Sequence, residues 1–410
     1  MTGINPLDKK IGAEWPRFAS RADILAFEKT PYQERIAAAS TYRALQLGAA
    51  LNPERVAIHF LQRGDAREEP ATVTFRQMME AINRTANLLH HLGVGPGDVV
   101  SLLLPLLPQT VFLLFGAQAA GIVNPVNPLL EPGQIAGILR AAGTKVLVAL
   151  GPTPGSDIWQ KARQVRSLLP ELEVVLQVAG TGEAGAGAEE ALGYEAALEG
   201  HPADRLVGGR TIVPDDPAAF FHTGGTTGLP KLVRHSHANH IYQAWGLAVV
   251  YRSTAETSML MGLPLFHVGG ALSHTLASLA VGSPIVLLTP AGFRTQAVVR
   301  NYWKLVRRYR AGVASSVPTV LAGLLATPHE GADLTSLKYC SGGGSAIPVE
   351  VARGLQQKTG TPTLEVYGMT ETSSVHCMSY PDMPIRLGSV GFPLPYSRVK
   401  TVRLDAEGRY

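Results

Sequence analysis

Residues 221–231 read FHTGGTTGLPK. The apolar segment Ala218–His222 leads in as a strand, and Thr223-Gly224-Gly225-Thr226-Thr227-Gly228 follows. Glycines let backbone N–H groups turn toward one point, and threonine hydroxyls add donors. Lys231 supplies a mobile positive charge suited to a polyphosphate. Ser236 is placed to cap the next helix. The stretch therefore reads as a phosphate-gripping loop. It is not a Walker A loop, which needs G-x-x-x-x-G-K-[ST]. Pro230 precedes Lys231 and Leu232 follows it, so a P-loop NTPase is rejected.

Both flanks of this loop read as α/β. Upstream, Thr74 and Gln77 form a T-x-x-Q capping box. Phe75, Met78, Met79, Ile82, Ala86, Leu89 and Leu92 then recur at helical spacing as far as Gly93. His90 and His91 sit in the last turn of that helix, where partial positive charge is favoured. Val99–Val123 is apolar enough to suggest a membrane span, but Pro105, Pro108 and Gln109 interrupt it. It reads instead as a buried strand (Val99–Leu104), a turn and a helix (about Gln109–Ala120). A strand near Ile122–Pro125, a helix near Pro132–Ala142 and a strand at Lys145–Ala149 follow. This alternation predicts a parallel sheet with right-handed crossovers. TGEAGAGAEE (181–190) is expected to be a flexible surface loop.

A second α/β pattern begins at Pro217, with apolar runs at Ser258–Met261, Ile285–Leu288, Gly312–Ser315 and Leu364–Tyr367. The expected fold class is α/β, with two packed lobes, mainly parallel sheets and a cleft between them. Residues 1–212 form the first lobe and an N-terminal segment. Residues 213–395 form the second, with the phosphate loop. Residues 396–410, including a strand at Val399–Arg403, begin a truncated β subdomain, the start of a small β-barrel.

Composition narrows the function. Of the 410 residues, 46% are hydrophobic and 17% charged, which suits a globular enzyme. The 36 basic and 32 acidic residues nearly balance, without a dense basic run, so nucleic acid is excluded as a partner. Cys340 and Cys377 lack C-x-x-C spacing, so neither a zinc site nor a disulfide framework is indicated. They read as buried free thiols in a reducing cytosol. The start, MTGINPLDKKIG, has no apolar core of a signal peptide. A cytoplasmic location is expected.

Three more motifs follow the loop: PLFHVGG (264–270), YCSGGGSAIP (339–348) and EVYGMTET (365–372). Together with TGGTTGLPK, they resemble the adenylate-forming, AMP-binding superfamily of acyl-CoA synthetases, luciferases and peptide-synthetase adenylation domains. The acyl-CoA synthetase branch, and within it the fatty-acyl-CoA synthetases, fits best. HSHAN (235–239) and GSVGFPLP (388–395) match adjoining segments, so the resemblance runs from about Thr74 to the end. Two departures stand out. Gly224 replaces the loop's usual serine, and Ser345 and Ala346 replace the usual Ala-Pro of the glycine loop.

The resemblance implies a set of roles. Thr223, Gly224, Gly225, Thr226, Thr227, Gly228 and Lys231 would hold the β- and γ-phosphates of ATP. Tyr367 would stack on adenine, with Gly343, Gly344, Ser345, Glu365, Val366, Gly368 and Met369 around the nucleotide. Thr370 would bond the α-phosphate. Glu371, with Thr226, would hold Mg²⁺. His267 would orient the acid's carboxylate and gate the path of the thiol. Val268, Gly269, Gly270, Val317, Gly342, Gly343 and Gly368 would line the acid's pocket with His267, and Ala271, Leu272 and Pro318 would add apolar walls.

The implied activity is a two-step ligation of a small-molecule carboxylic acid to coenzyme A, using ATP, with His267, Thr370, Glu371 and Lys231 as the catalytic set. No G-x-S-x-G elbow is present and none is required. MGLPLFHVGGALS (261–273) has no acid to pair a substrate amine, which argues against amino acids. A fatty acid is favoured over an aryl one. A homodimer is left open. The family's later segments, with their ribose-binding aspartate and catalytic lysine, are not in this sequence. It is therefore expected to be the N-terminal large domain of a longer enzyme, poorly active alone and without the small C-terminal domain. The alternative is a complete but catalytically silent nucleotide-binding module.

Overall fold

The five residues of VVSLL, Val99–Leu103, are all buried, as a strand flanked by parallel neighbours and covered on both faces must be. The computed structural model describes residues 7–9, 15–181, 191–223, 231–405 and 407. Gly224–Pro230 and most of the expected loop at 181–190 lie outside the described residues.

Two sheets hold the described strands. In chain order these are β1 (Val56–Leu61), β2 (Ala71–Thr74), β3 (Val99–Leu103), β4 (Ile122–Pro125), β5 (Thr144–Leu150), β6 (Val174–Val178), β7 (Leu192–Gly193) and β8 (Pro217–His222). They continue as β9 (Leu232–Ser236), β10 (Ser258–Met261), β11 (Ile285–Leu288), β12 (Ala311–Ser316), β13 (Tyr339–Gly342), β14 (Thr363–Met369), β15 (Ser374–Met378) and β16 (Phe392–Pro393). A seven-stranded sheet runs β7-β6-β5-β3-β4-β8-β9, and a nine-stranded one runs β16-β15-β14-β13-β12-β10-β11-β1-β2. The pairings are mostly parallel, with antiparallel strands at the edges.

The expected two-lobed α/β architecture is present, but the sheets do not divide at residue 212. The early strand β1 pairs onto β11 in the second sheet and β2 pairs onto β1 at its edge, while β8 and β9 complete the first. Local patterning reports the strand, whereas the neighbour is chosen by long-range packing. The strand expected at Val399–Arg403 does not form and those residues are exposed, so no β-barrel starts among the described residues there. A strand must satisfy its backbone groups on a neighbour, and no described strand lies beside this segment.

Capping chemistry sets the helices. Thr74 Oγ1 accepts from the Gln77 N–H, and Gln77 Oε1 accepts from the Thr74 N–H, at 3.2 and 2.9 Å, opening Phe75–His91. Pro108 opens Pro108–Ala120, whose residues from Val111 onward are almost all buried. Ser236 caps His237–Tyr251 with Asn239 completing a capping box. No described helix is long and apolar enough to cross a membrane. Cys340 and Cys377 are free and buried.

Candidate active site

The phosphate stretch joins two antiparallel strands. β8 ends at His222, β9 starts at Leu232, and these two residues pair in register. The Thr223 N–H donates to the Lys231 carbonyl at 2.9 Å, so the ends of the stretch close on each other. Lys231 is exposed at this base. Gly224, Gly225, Thr226, Thr227 and Gly228 lie outside the described residues.

The second wall comes from β14 and the turn after it. Gly368 sits where β14 shifts register against β15. A Cβ there would fall 1.8 Å from the Ser374 carbonyl oxygen, so only glycine fits. Tyr367 is 43% exposed, its ring braced edge-on by His376 at 4.6 Å. A short 3₁₀ turn, Thr370–Thr372, presents Thr370 and Glu371. His235 on β9 donates through Nε2 to the Thr370 carbonyl at 2.7 Å. Burial holds His235 below its usual pKa, as a neutral imidazole.

The glycine loop is pinned from beneath. The buried Glu365 carboxylate accepts from the Ile347 N–H at 3.1 Å. Gly343 lies against β14, where an added Cβ would meet Val366 Cγ2 at 2.5 Å. Ser345 is exposed at the loop's crest.

PLFHVGG turns into a π-helix, Gly269–Leu276. His267 Nδ1 accepts from the Gly269 N–H at 3.1 Å. Desolvation keeps His267 below its ordinary pKa, so the neutral ring carries its proton on Nε2. That atom is left as a donor. Across from it, His222 is pushed down to about 4, by burial first and by the nearby His267 second. Its Nε2 accepts from the Asn127 N–H at 3.1 Å, and its ring stacks on Phe266.

These walls enclose one cavity of about 700 Å³. Of the residues singled out in the sequence, Thr223, His267, Val268, Gly269, Val317, Gly343, Gly344, Val366, Gly368, Met369, Thr370 and Glu371 line it. Gly270 and Gly342 do not; both are buried behind the wall, where a Cβ would strike Pro264 O at 2.2 Å and Leu321 Cδ1 at 2.6 Å. Glu365, Ser345, Tyr367 and Lys231 flank the cavity's lining rather than forming it. Ala271 and Leu272, expected as apolar walls, are fully buried; Ser273 and His274 take that part of the lining. The π-helical period turns these neighbours, not the apolar pair, toward the cavity. Among its described lining residues there is no lysine or arginine, and Glu371 is the only acid. A smaller apolar cavity of about 320 Å³ shares Leu263, Pro264, Phe266 and Val317 with it.

Sequence reasoning missed His222, His235, Ser273 and His274. His222 stood within the first motif and His235 within HSHAN, but their roles depend on partners far away in sequence. Glu371 offers a hard oxygen donor at the cavity wall. No cluster of three or more metal-binding side chains occurs among the described residues. That donor set fits Mg²⁺ held by one carboxylate with the rest of its shell from phosphate and water.

Residues 45–410 match the family described as AMP-binding enzyme. The chain is 32% identical to a marinolic acid–CoA ligase of Pseudoalteromonas sp. (strain SANK 73390), across 99% of this chain and 62% of that one. It is 26% identical to a long-chain-fatty-acid–CoA ligase of Bacillus subtilis (strain 168), across 85% and 62%. The chain thus spans less than two thirds of these relatives. Its fold resembles that of the anthranilate CoA ligase AuaEII, solved with anthranoyl-AMP, with a TM-score of 0.77 over 90% of this chain and 67% of that one at 24% identity. With the family match covering the loop, the π-helix and the YGMTE turn together, the chain belongs to the AMP-binding enzyme family.

Proposed function

We propose that the protein activates a carboxylic acid with ATP and transfers the acyl group to the thiol of coenzyme A. A carboxylate oxygen attacks the α-phosphorus, the bond to the bridging oxygen of the β-phosphate breaks, and pyrophosphate leaves. The thiol sulfur then attacks the acyl carbon of the adenylate, and AMP departs with the carboxylate oxygen. The observation that carries this reading is the meeting of Thr223, His267, Thr370 and Glu371 around one cavity.

Each residue has a task in this scheme. The phosphate loop and Lys231 hold the pyrophosphate end, Thr370 bonds the α-phosphate, and Tyr367 offers its exposed ring to adenine. Glu371 and Thr226 would hold Mg²⁺, which would neutralise charge on the phosphates. His267 donates from Nε2 to the acid's carboxylate; that group is already ionised and needs no base. Catalysis is positioning and charge stabilisation, without a protein nucleophile. The apolar cavity behind Phe266 gives the thiol a dry approach. The same reading puts the reaction in the cytoplasm, where ATP and coenzyme A are at hand.

The acid has an uncharged acyl part, because the described lining offers no cation and no acid beyond Glu371. A fatty acid is the first choice. The names of the relatives, one acting on a long-chain fatty acid and one solved with anthranoyl-AMP, keep an aryl acid as the second. Pyrophosphate exchange over acids from acetate to palmitate, with benzoate and coumarate, separates them. Exchange rising with chain length supports the fatty acid; a maximum at benzoate or coumarate replaces it with the aryl acid.

A further inference from the structure

One wall of the main cavity does not suit a plain hydrocarbon. Gly269, Ser273 and His274 line it from the π-helix, at spacings that match its wide turn. Ser315 and Ser316 join them from the end of β12, and Ser374 from the start of β15. Ser374, His274, Ser315 and Ser316 are all buried. Ser374 holds a φ of +114°, a conformation that costs an L-residue energy and that surrounding structure must enforce. It brings Ser374 Oγ to 2.7 Å from Ser273 Oγ.

The hydrogen-bonding capacity of this wall exceeds what the wall itself uses. Ser273 and Ser374 share one bond, so one of their two hydroxyl protons is unspent. His274 Nε2 and Ser315 Oγ lie 3.0 Å apart. If the ring donates, the Ser315 proton is unspent; if Ser315 donates, the Nδ1 proton of the neutral ring is. His274 Nδ1 and Ser316 Oγ are both buried without a partner. Buried polar groups left in this state are costly unless something else satisfies them.

The charge of the missing partner follows from the lining. A second carboxylate would need a cation, and none lines the described cavity. His274 does not provide one: full burial pushes its pKa down to about 4. An ammonium group would need an acid, and Glu371 is committed to the metal and phosphates. The remaining class is a neutral group with both donor and acceptor character.

We propose that the wall of Ser273, His274, Ser315, Ser316 and Ser374 reads a hydroxyl or similar neutral hydrogen-bonding group on the acyl chain, so that the preferred substrate is a hydroxylated carboxylic acid. This rests on the adenylate-forming reading above, in which the acid occupies the same cavity. A site built to hydrogen-bond a substrate hydroxyl rejects the analogue that lacks it far more strongly than an apolar pocket distinguishes one methylene. His274 is then a specificity-determining residue.

The test uses the protein with two series of acyl-sulfamoyl-adenosines, unreactive mimics of the acyl-adenylate. Within each chain length one member ends in a methyl and the other in a hydroxyl. Calorimetry is expected to find a chain length at which the hydroxyl member binds at least about tenfold more tightly. His274→Leu and Ser315→Ala are expected to abolish that preference, the hydroxyl member losing at least about tenfold relative to the methyl member of the same length. Thermal unfolding of each variant checks that it folds, and the wild-type comparison stands whether or not it does. If methyl members bind as well as hydroxyl members at every length, the proposal is overturned and the adenylate reading survives. If no member of either series binds, both are overturned.

Discussion

The imidazole Nε2 of His235 lies 2.7 Å from the carbonyl oxygen of Thr370. This bond ties the strand leaving the phosphate loop to the turn that carries Glu371. Behind it, His235 Nδ1 faces His240 Nε2 at 3.2 Å. His240 is wholly buried and held well below its usual pKa by that burial. Both rings are neutral, so His240 donates to His235 and His235 donates to Thr370. Under the proposed function, this chain of bonds would couple the two ends of the ATP site, the phosphate loop and the turn that carries Glu371.

Replacing His235 tests the coupling. His235→Leu removes one of the two donors to the Thr370 carbonyl, which keeps the Ser373 N–H at 3.0 Å, at a cost of about 1 kcal/mol in unfolding free energy. ATP affinity is expected to fall with it, and His235→Gln, which keeps a donor, to recover part of both. Urea unfolding and calorimetric ATP titration check this. A stability loss without a change in ATP affinity would contradict the coupling.

Acid sensitivity follows from buried histidines. Burial is the main cause that takes His222, His237 and His274 down to about 4. The folded state therefore binds fewer protons than the unfolded chain, whose histidines titrate near 6.5. Stability is complete above about pH 6.5 and is lost as pH falls toward about 4, by up to about 1.4 kcal/mol per pH unit for each histidine. Urea midpoints measured from about pH 7 down to about pH 5 should fall steadily. His222→Asn should make that fall shallower by one proton.

Two glycines report on close packing. Gly368→Ala would drive a Cβ into the Ser374 backbone at 1.8 Å, and Gly343→Ala into Val366 at 2.5 Å. Each is expected to destabilise by about 1–3 kcal/mol or more and to abolish ATP binding. Gly133, in the helix Pro132–Ala142, has nothing within 4 Å of an added Cβ. Gly133→Ala should stabilise by up to about 1 kcal/mol. Thermal unfolding of the three variants gives the comparison.

In the proposed function Lys231 serves the phosphates and not the nucleoside. Lys231→Ala is expected to weaken ATP about tenfold and leave AMP affinity nearly unchanged, by loss of one charge-assisted contact. Gly224→Ser, which restores a hydroxyl, should leave ATP binding as it is or tighten it. Parallel titrations with ATP and AMP decide both.

Much of this was legible in the sequence because it is local. The capping pair Thr74–Gln77, the buried run Val99–Leu103 and the helix opened by Pro108 are all written in neighbouring residues. The TGGTTGLPK and EVYGMTET strings likewise made the family legible. The pairing of β1 with β11 was not legible, since their register joins Ile58 to Ile285 across the chain. Nor was the β8–β9 hairpin, because a loop followed by a short polar strand has no periodicity to read. The polar wall was hidden for another reason. The apolar Ala271 and Leu272 were expected as walls, whereas the π-helix buries them and presents Ser273 and His274.

Oxygen labelling tests most directly whether the acid's carboxylate attacks the α-phosphorus. An acid that supports pyrophosphate exchange is prepared with ¹⁸O in its carboxylate and turned over with ATP and coenzyme A, and the nucleotide product is weighed by mass spectrometry. The expected result is AMP carrying one ¹⁸O for each thioester formed. Label in inorganic phosphate with ADP as the nucleotide, or AMP without label, would contradict an acyl-adenylate.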